Sequence, residues 1–323
     1  MCFQEPVKKL SLPIIDISDL TSSDQLKRQN VGETLRAACQ DRGFFYCTGH
    51  GIADRLINEV LEQTSALFSQ PQDKKMAVEK SNSGCNRGYE TLGGQTLDAG
   101  GQPDRKEGYY IGVELPDTDP RVIAGRFNRG PNLWPSDLSD FQPVMSRYFA
   151  AMESLGATLM QGIALSLELP GNYFSSYNSD TLATLRLLHY PPQPPDEPDR
   201  MGAGAHTDFG GLTILLQDNN GGLQVWNRAD NTWDNAPPQK GAFIVNLGDM
   251  IARWTNDRYK STLHRVINTS GRERYSVPFF YVGNPDFEVK CIPGCLDQGE
   301  LPRYPPVTVE EHLMSMYNKT YGS

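Results

Sequence analysis

The feature that most constrains this chain is a change of hydrophobic rhythm at about Leu182. Beyond it, short β-prone runs follow one another: LATLRLLHY (182–190), GLTILLQD (211–218), GGLQVW (221–226), GAFIVNLGD (241–249) and RYSVPFFYVG (274–283). Gly, Pro, Asn and Asp separate them, and short strands with turn formers between them predict a β-sandwich or barrel-like sheet. The segment PPQPPDEPDR (191–200) cannot be a central strand, because proline lacks the N–H that a ladder needs, and it reads as a surface loop. Before Leu182 the rhythm is helical. Phe141, Met145, Tyr148, Met152, Leu155, Leu159, Ile163 and Leu167 recur at steps of three or four, which predicts one apolar stripe along a long helix. Shorter helices are predicted from about Asp24 to Asp41 and from about Ala53 to Phe68, with a strand at Gly43–Thr48 between them.

A chain of 323 residues with 38% hydrophobic content can bury the core of one large domain or two small ones. The net charge is −9, and no block of Lys and Arg is long enough to track a phosphate backbone. Nucleic acid and anionic membrane are therefore not expected partners, and a small molecule is. The N-terminus lacks an uninterrupted apolar signal core, and nowhere do about 18 apolar residues run together, so a soluble, cytoplasmic protein is expected. Six cysteines (2, 39, 47, 85, 291, 295) without a CxxC pair read as free thiols. The stretch Gly202–Thr207 lacks the third glycine of a dinucleotide fingerprint, and there is neither a P-loop nor a GxSxG elbow. Hydride transfer on nicotinamide, phosphoryl transfer and serine hydrolysis are thereby disfavoured.

The five histidines (50, 189, 206, 264, 312) make the search for chemistry short. In His206-Thr207-Asp208 two ligating side chains lie two apart, so an extended backbone would point both to one face. His264, in a second strand-like run, could face the first across a barrel. Two imidazoles and one carboxylate on one face suit a non-haem iron(II) centre with positions left open; zinc is the competing metal, although the helical His-Glu-x-x-His signature is absent. A satisfied structural histidine is the plain alternative for each ring. Ten positions after His264, Arg274-Tyr275-Ser276 puts a guanidinium fork and a hydroxyl on one strand face, a cradle for a carboxylate. The alternative there is a structural ion pair.

With these motifs in order, the chain resembles the 2-oxoglutarate- and Fe(II)-dependent dioxygenases of the isopenicillin N synthase-like group. The resemblance runs through LPIIDISDL, CQDRGFFYCTGHGI (39–52), GPNLWP (130–135), LHYPPQP (188–194), GAHTDFGGLTILLQD (204–218), GGLQVW, NLGDMIARWTND (246–257), STLHRV and RYSVPFFY. It implies a mainly β fold with flanking helices: a double-stranded β-helix, or jelly roll, with an N-terminal helical region. The regions expected are an N-terminal one (1–135), a support helix (136–180), the jelly-roll core (181–290) and a C-terminal segment with a helix (291–323), forming one compact unit. His206, Asp208 and His264 carry over as catalytic iron ligands. Arg274 and Ser276, with Tyr190, carry over as the grip on 2-oxoglutarate, whose keto end would chelate the metal. The expected reaction consumes dioxygen and releases succinate and CO2 while a small metabolite is hydroxylated, desaturated or cyclised.

Plant members of the group often carry Asn where this chain has Leu188, and Arg186 is the candidate replacement or a substrate-carboxylate anchor. Tyr89, Thr91, Trp254 and Phe280 are further candidate lining residues, with ordinary packing as the alternative for each. A co-substrate-independent Fe(II) oxidase of the same fold stays open, since Arg-x-Ser could hold a substrate carboxylate; the glutamine near that enzyme's C-terminus has no counterpart in MYNKTYGS. A non-catalytic jelly-roll binding protein is the third reading. A monomer is the group's habit.

Overall fold

The structure is a computed structural model that describes residues 12–98, 101–194, 197 and 200–321. The N-terminal elements form where the periodicity puts them. After strand β1 (Ile14–Asp16), helix α1 (Gln25–Asp41) is capped by Asp24, whose carboxylate accepts from the Leu26 N–H at 2.9 Å. Strand β2 (Phe44–Thr48), helix α2 (Asp54–Phe68) and a short helix α3 (Gln72–Met76) follow. A hairpin of β3 (Gly88–Glu90) and β4 (Glu107–Gly112) then leads to the short α4 (Pro120–Ile123) and the long α5 (Phe141–Ser166). Every residue of the predicted stripe up to Ile163 is buried; Leu167 is half-buried, one residue past the helix end.

The second half supplies β5 (Thr184–Tyr190), β6 (Ala203–His206), β7 (Leu212–Gln217), β8 (Leu223–Asn227), β9 (Thr232–Asn235), β10 (Phe243–Leu247), β11 (His264–Val266) and β12 (Arg274–Tyr281). Between β10 and β11 lies α6 (Asp249–Trp254), and α7 (Val309–Tyr321) closes the chain. Eight strands form one sheet in the order β1-β2-β10-β7-β12-β5-β4-β3, and four form a second, β6-β11-β8-β9. The strands of the N-terminal half extend both edges of the larger sheet. None of the described helices is long and apolar enough to cross a membrane.

The two-residue period of the strands sorts the larger sheet into two faces. Leu185 and Leu187 of β5, Ile214 of β7, Val245 of β10, and Val277 and Phe279 of β12 all pack with the α5 stripe in the main core. The alternate residues face the smaller sheet: Phe44, Tyr46, Leu188, Tyr190 and Ile244 join Ala203, Leu223, Val225 and Val266 in a second, smaller core. That inner core is where polar side chains are inserted.

Helix α5 meets the outer face so closely that Gly156 has the Tyr281 ring against it; a Cβ there would lie 2.4 Å from a ring carbon. Helix propensity alone would favour alanine by about 1 kcal/mol. Overpacking a well-filled core costs roughly 1–3 kcal/mol, so the clash decides the sign. Gly156→Ala is expected to lower the unfolding free energy by up to about 2 kcal/mol in urea denaturation; an increase would show that the α5–β12 contact yields freely.

Candidate active site

The site begins with a defect in a two-strand pairing. In the antiparallel ladder of β6 and β11, His206 faces His264 while Ala203 faces Val266, three steps on one strand against two on the other. This bulge turns His206 to the side that Ala203 also faces, although the two are an odd number of residues apart. His206 and His264 are therefore neighbours on adjacent strands, ring centroids 4.3 Å apart, and do not face one another across the barrel as the sequence suggested. Strand β6 also ends at His206, so Asp208 reaches the same face from the following turn and not through strand alternation. That turn is pinned by the Asp249 N–H, which donates to the Asp208 carbonyl at 2.8 Å.

Each imidazole is oriented by its far nitrogen. His206 Nδ1 lies 2.7 Å from the Gly204 carbonyl and His264 Nδ1 lies 3.1 Å from the Thr262 carbonyl. With Nδ1–H donating, both Nε2 lone pairs are free, and they lie 3.9 Å and 3.8 Å from the same oxygen, Asp208 Oδ1. The other oxygen, Oδ2, is occupied: it accepts from Thr213 Oγ1 at 2.6 Å and Asn246 Nδ2 at 2.7 Å. Three ligand atoms within 4.8 Å of one another thus converge on one point. Burial and the neighbouring His264 push the His206 ring well below the ordinary imidazole range, so it is a neutral donor at physiological pH. Burial opposes the charge of Asp208, but the two imidazoles and the bonds from Asn246 and Thr213 overcome it and hold the carboxyl below its usual range. Two imidazoles and one carboxylate fit a divalent cation with open positions.

Two connected chambers share this corner. The inner one, between the sheets, is lined by the triad and by Tyr190, Arg274, Ser276, Leu188, Lys106 and Arg186 among others. Arg274 and Ser276 are both 1% exposed. The Arg274 guanidinium stacks 4.6 Å from the Tyr190 ring, donates from Nε to the Gly221 carbonyl and from Nη2 to Gln217 Oε1 at 3.0 Å, and its buried Nη1 meets no partner among the described residues. No carboxylate pairs with it among the described residues, which removes the structural ion pair. A buried guanidinium with an unmet donor is what a ligand carboxylate would satisfy. The outer chamber adds Gln95, Tyr110, Asn128, Phe209 and, from α7, Leu313 and Tyr317.

The other sequence candidates divide. Arg186 and Phe280 line both chambers. Arg186 is buried, not a surface arginine, and donates to Glu90 and, at 2.9 Å, to Gln95 Oε1 while stacked 4.4 Å over Tyr110. Tyr89, Thr91 and Trp254 line neither chamber. Tyr89 sits on the outer face of β3, where parity sends its ring to the main core and its hydroxyl to Glu107. Trp254 is buried against Phe174, Tyr177 and Phe287. Sequence reasoning missed Thr213, Asn246, Lys106, Gln95 and Tyr317. A lone polar residue inside FIVNL was a legible signal for Asn246; Leu313 and Tyr317, four apart on α7, gave none that distinguished them from core.

The comparisons agree with this geometry. Residues 12–137 match the family described as non-haem dioxygenase in morphine synthesis N-terminal, and residues 181–283 match the 2OG-Fe(II) oxygenase superfamily. The chain is similar to a 2-oxoglutarate-Fe(II) type oxidoreductase, hxnY, of Emericella nidulans: 44% identical over 315 residues, 96% of this chain and 90% of that one. Clavatol oxidase claD of Penicillium crustosum is 35% identical over 96% of this chain and 97% of its own. The crystal structure of a full-length Neurospora crassa protein in complex with alpha-KG (2-oxoglutarate) and thymine superposes with a TM-score of 0.85 at 30% identity, covering 97% of this chain and 98% of that one. The chain belongs to the 2OG-Fe(II) oxygenase superfamily, and the two facing sheets are its jelly roll. It is a non-haem dioxygenase that uses Fe(II), 2-oxoglutarate and dioxygen to oxidise a small molecule.

Because Asp208 Oδ2 is tied by two side chains, Oδ1 is aimed. Partners of this kind are typically worth about 10- to 100-fold in metal affinity. Asn246→Ala is expected to weaken Fe(II) binding by about that factor, measured by anaerobic titration; unchanged affinity would mean that Thr213 alone suffices to aim the carboxylate.

Proposed function

We propose that His206 Nε2, Asp208 Oδ1 and His264 Nε2 ligate the iron, and that Arg274 and Ser276, with Tyr190, hold the far carboxylate of 2-oxoglutarate. The observation that carries this is the unpartnered Arg274 Nη1 in a buried chamber shared with the triad. When bound, the iron and 2-oxoglutarate supply the oxidising power; the chain's part is to fix the co-substrate's plane, hold the substrate beside the metal and keep water out.

The substrate, in this reading, is a small planar ring with polar edges, which is hydroxylated or otherwise oxidised. Tyr110, Phe209, Phe280 and Tyr317 offer ring faces, and Gln95, Asn128 and Arg186 offer hydrogen bonds. Burial opposes the charge of Glu90, but Arg186 and Lys80 hold that carboxyl down at about 2, so the Arg186 charge is already balanced. The chamber wall therefore favours an uncharged ring over a strongly anionic chain. The thymine held by the Neurospora crassa neighbour is a ring of this size and kind. The protein works as a cytoplasmic monomer; its main core draws on residues from Ile15 to Leu313, which supports the N-terminal region, long helix, jelly roll and C-terminal segment acting as one unit.

The test is succinate release with a panel of single-ring nitrogen heterocycles against acyclic carboxylates, at varied 2-oxoglutarate. Each charge-assisted bond lost is worth about 1.5–3 kcal/mol, so Arg274→Ala is expected to raise the KM for 2-oxoglutarate at least about tenfold with Fe(II) affinity unchanged. An unaltered KM would remove Arg274 from this role. Preference for the acyclic acids would overturn the substrate class.

A further inference from the structure

We infer that Lys106 is the second carboxylate anchor of the inner chamber, donating to the carboxylate beside the keto group of 2-oxoglutarate while Arg274 holds the far one. The inference rests on the functional reading above and assigns a residue to the end of the co-substrate that it leaves to the metal.

Lys106 stands one residue before β4, whose pairing places Glu107 beside His189 and Gly108 beside Leu188. By alternation Lys106 shares the inner face with Gly108 and Tyr110, next to Tyr190. Its side chain is 2% exposed and lines the inner chamber, not the outer one, so a substrate in the outer chamber is not its natural partner. It lines the inner chamber together with His206, Asp208 and His264.

The ammonium is also under-used. Of its three N–H donors, one goes to Asp104 Oδ2, the sole hydrogen-bond acceptor it meets among the described residues. Asp104 Oδ1 is taken by the Gly204 N–H at 2.9 Å. Two donors of a desolvated ammonium thus remain to be met, and burying them without acceptors is costly. A dianion with carboxylates at both ends matches a chamber with an arginine at one end and a lysine at the other. Asp104 serves as the positioning residue: it fixes Lys106 and the Gly204 backbone, whose carbonyl in turn orients His206.

Wild type, Lys106→Met, Lys106→Gln, Lys106→Arg and Asp104→Asn are loaded anaerobically with Fe(II) and titrated with 2-oxoglutarate, following the visible charge-transfer absorption of the complex. Lys106→Met is expected to weaken 2-oxoglutarate binding by about 10- to 100-fold while retaining Fe(II) affinity, and Lys106→Arg to recover most of the loss. Lys106→Gln, which keeps a donor for Asp104, carries the same expectation if the methionine variant does not fold. Wild-type 2-oxoglutarate affinity in Lys106→Met or Lys106→Gln would overturn the inference. So would a loss of Fe(II) affinity matching that of Asp104→Asn, which marks a merely structural ion pair. No response in wild type would instead sink the co-substrate assignment, and this inference with it.

Discussion

The active centre depends on a short, bulged pairing between β6 and β11. Strands of four and three residues would contribute little stability alone. Their value is positional: the extra residue on β6 brings His206 beside His264 with both rings toward the larger sheet. Glycine permits this. At Gly204 a Cβ would lie 2.8 Å from the Asp98 backbone nitrogen and 2.9 Å from its Cβ, so the bulge can pack against that segment only without a side chain.

Around that pairing, buried charge is handled one group at a time. Asp208 gives one oxygen to Thr213 and Asn246 and keeps the other for the metal corner. Arg186 of β5 is paired with Glu90 of β3, and Lys106 with Asp104 two residues before it. Arg274 differs from both in having carbonyl and amide partners and, among the described residues, no carboxylate. Balanced pairs in low dielectric hold a wall rigid, whereas an unbalanced cation with an unmet donor invites an anion.

The larger sheet does two jobs because its side chains alternate. Odd positions of β12, Val277 and Phe279, weld it to α5; even positions, Arg274 and Ser276, enter the chamber. The same alternation explains why Tyr89 is core while its neighbour Glu90 takes part in the chamber wall through Arg186. Trp254 has no such constraint from strand parity; its position in α6 delivers it to an aromatic cluster with Tyr177 and Phe287.

The sequence by itself determined the elements and the chemistry. The α5 stripe is legible because a 3.6-residue period is local, and the Arg274/Ser276 pair is legible because alternation within one strand is local. His206, Asp208 and His264 are legible as metal-binding types, and the order of motifs carries their family. What only the tertiary structure decided is everything that depends on contacts between distant segments. The pairing of His264 with His206, the capture of Asp208 Oδ2 by Asn246, the bond from the Gly204 N–H to Asp104 and the arrival of Tyr317 from α7 join stretches that the chain's local pattern does not connect. No periodicity within one segment encodes such meetings, because they are set by strand order, register and one bulge.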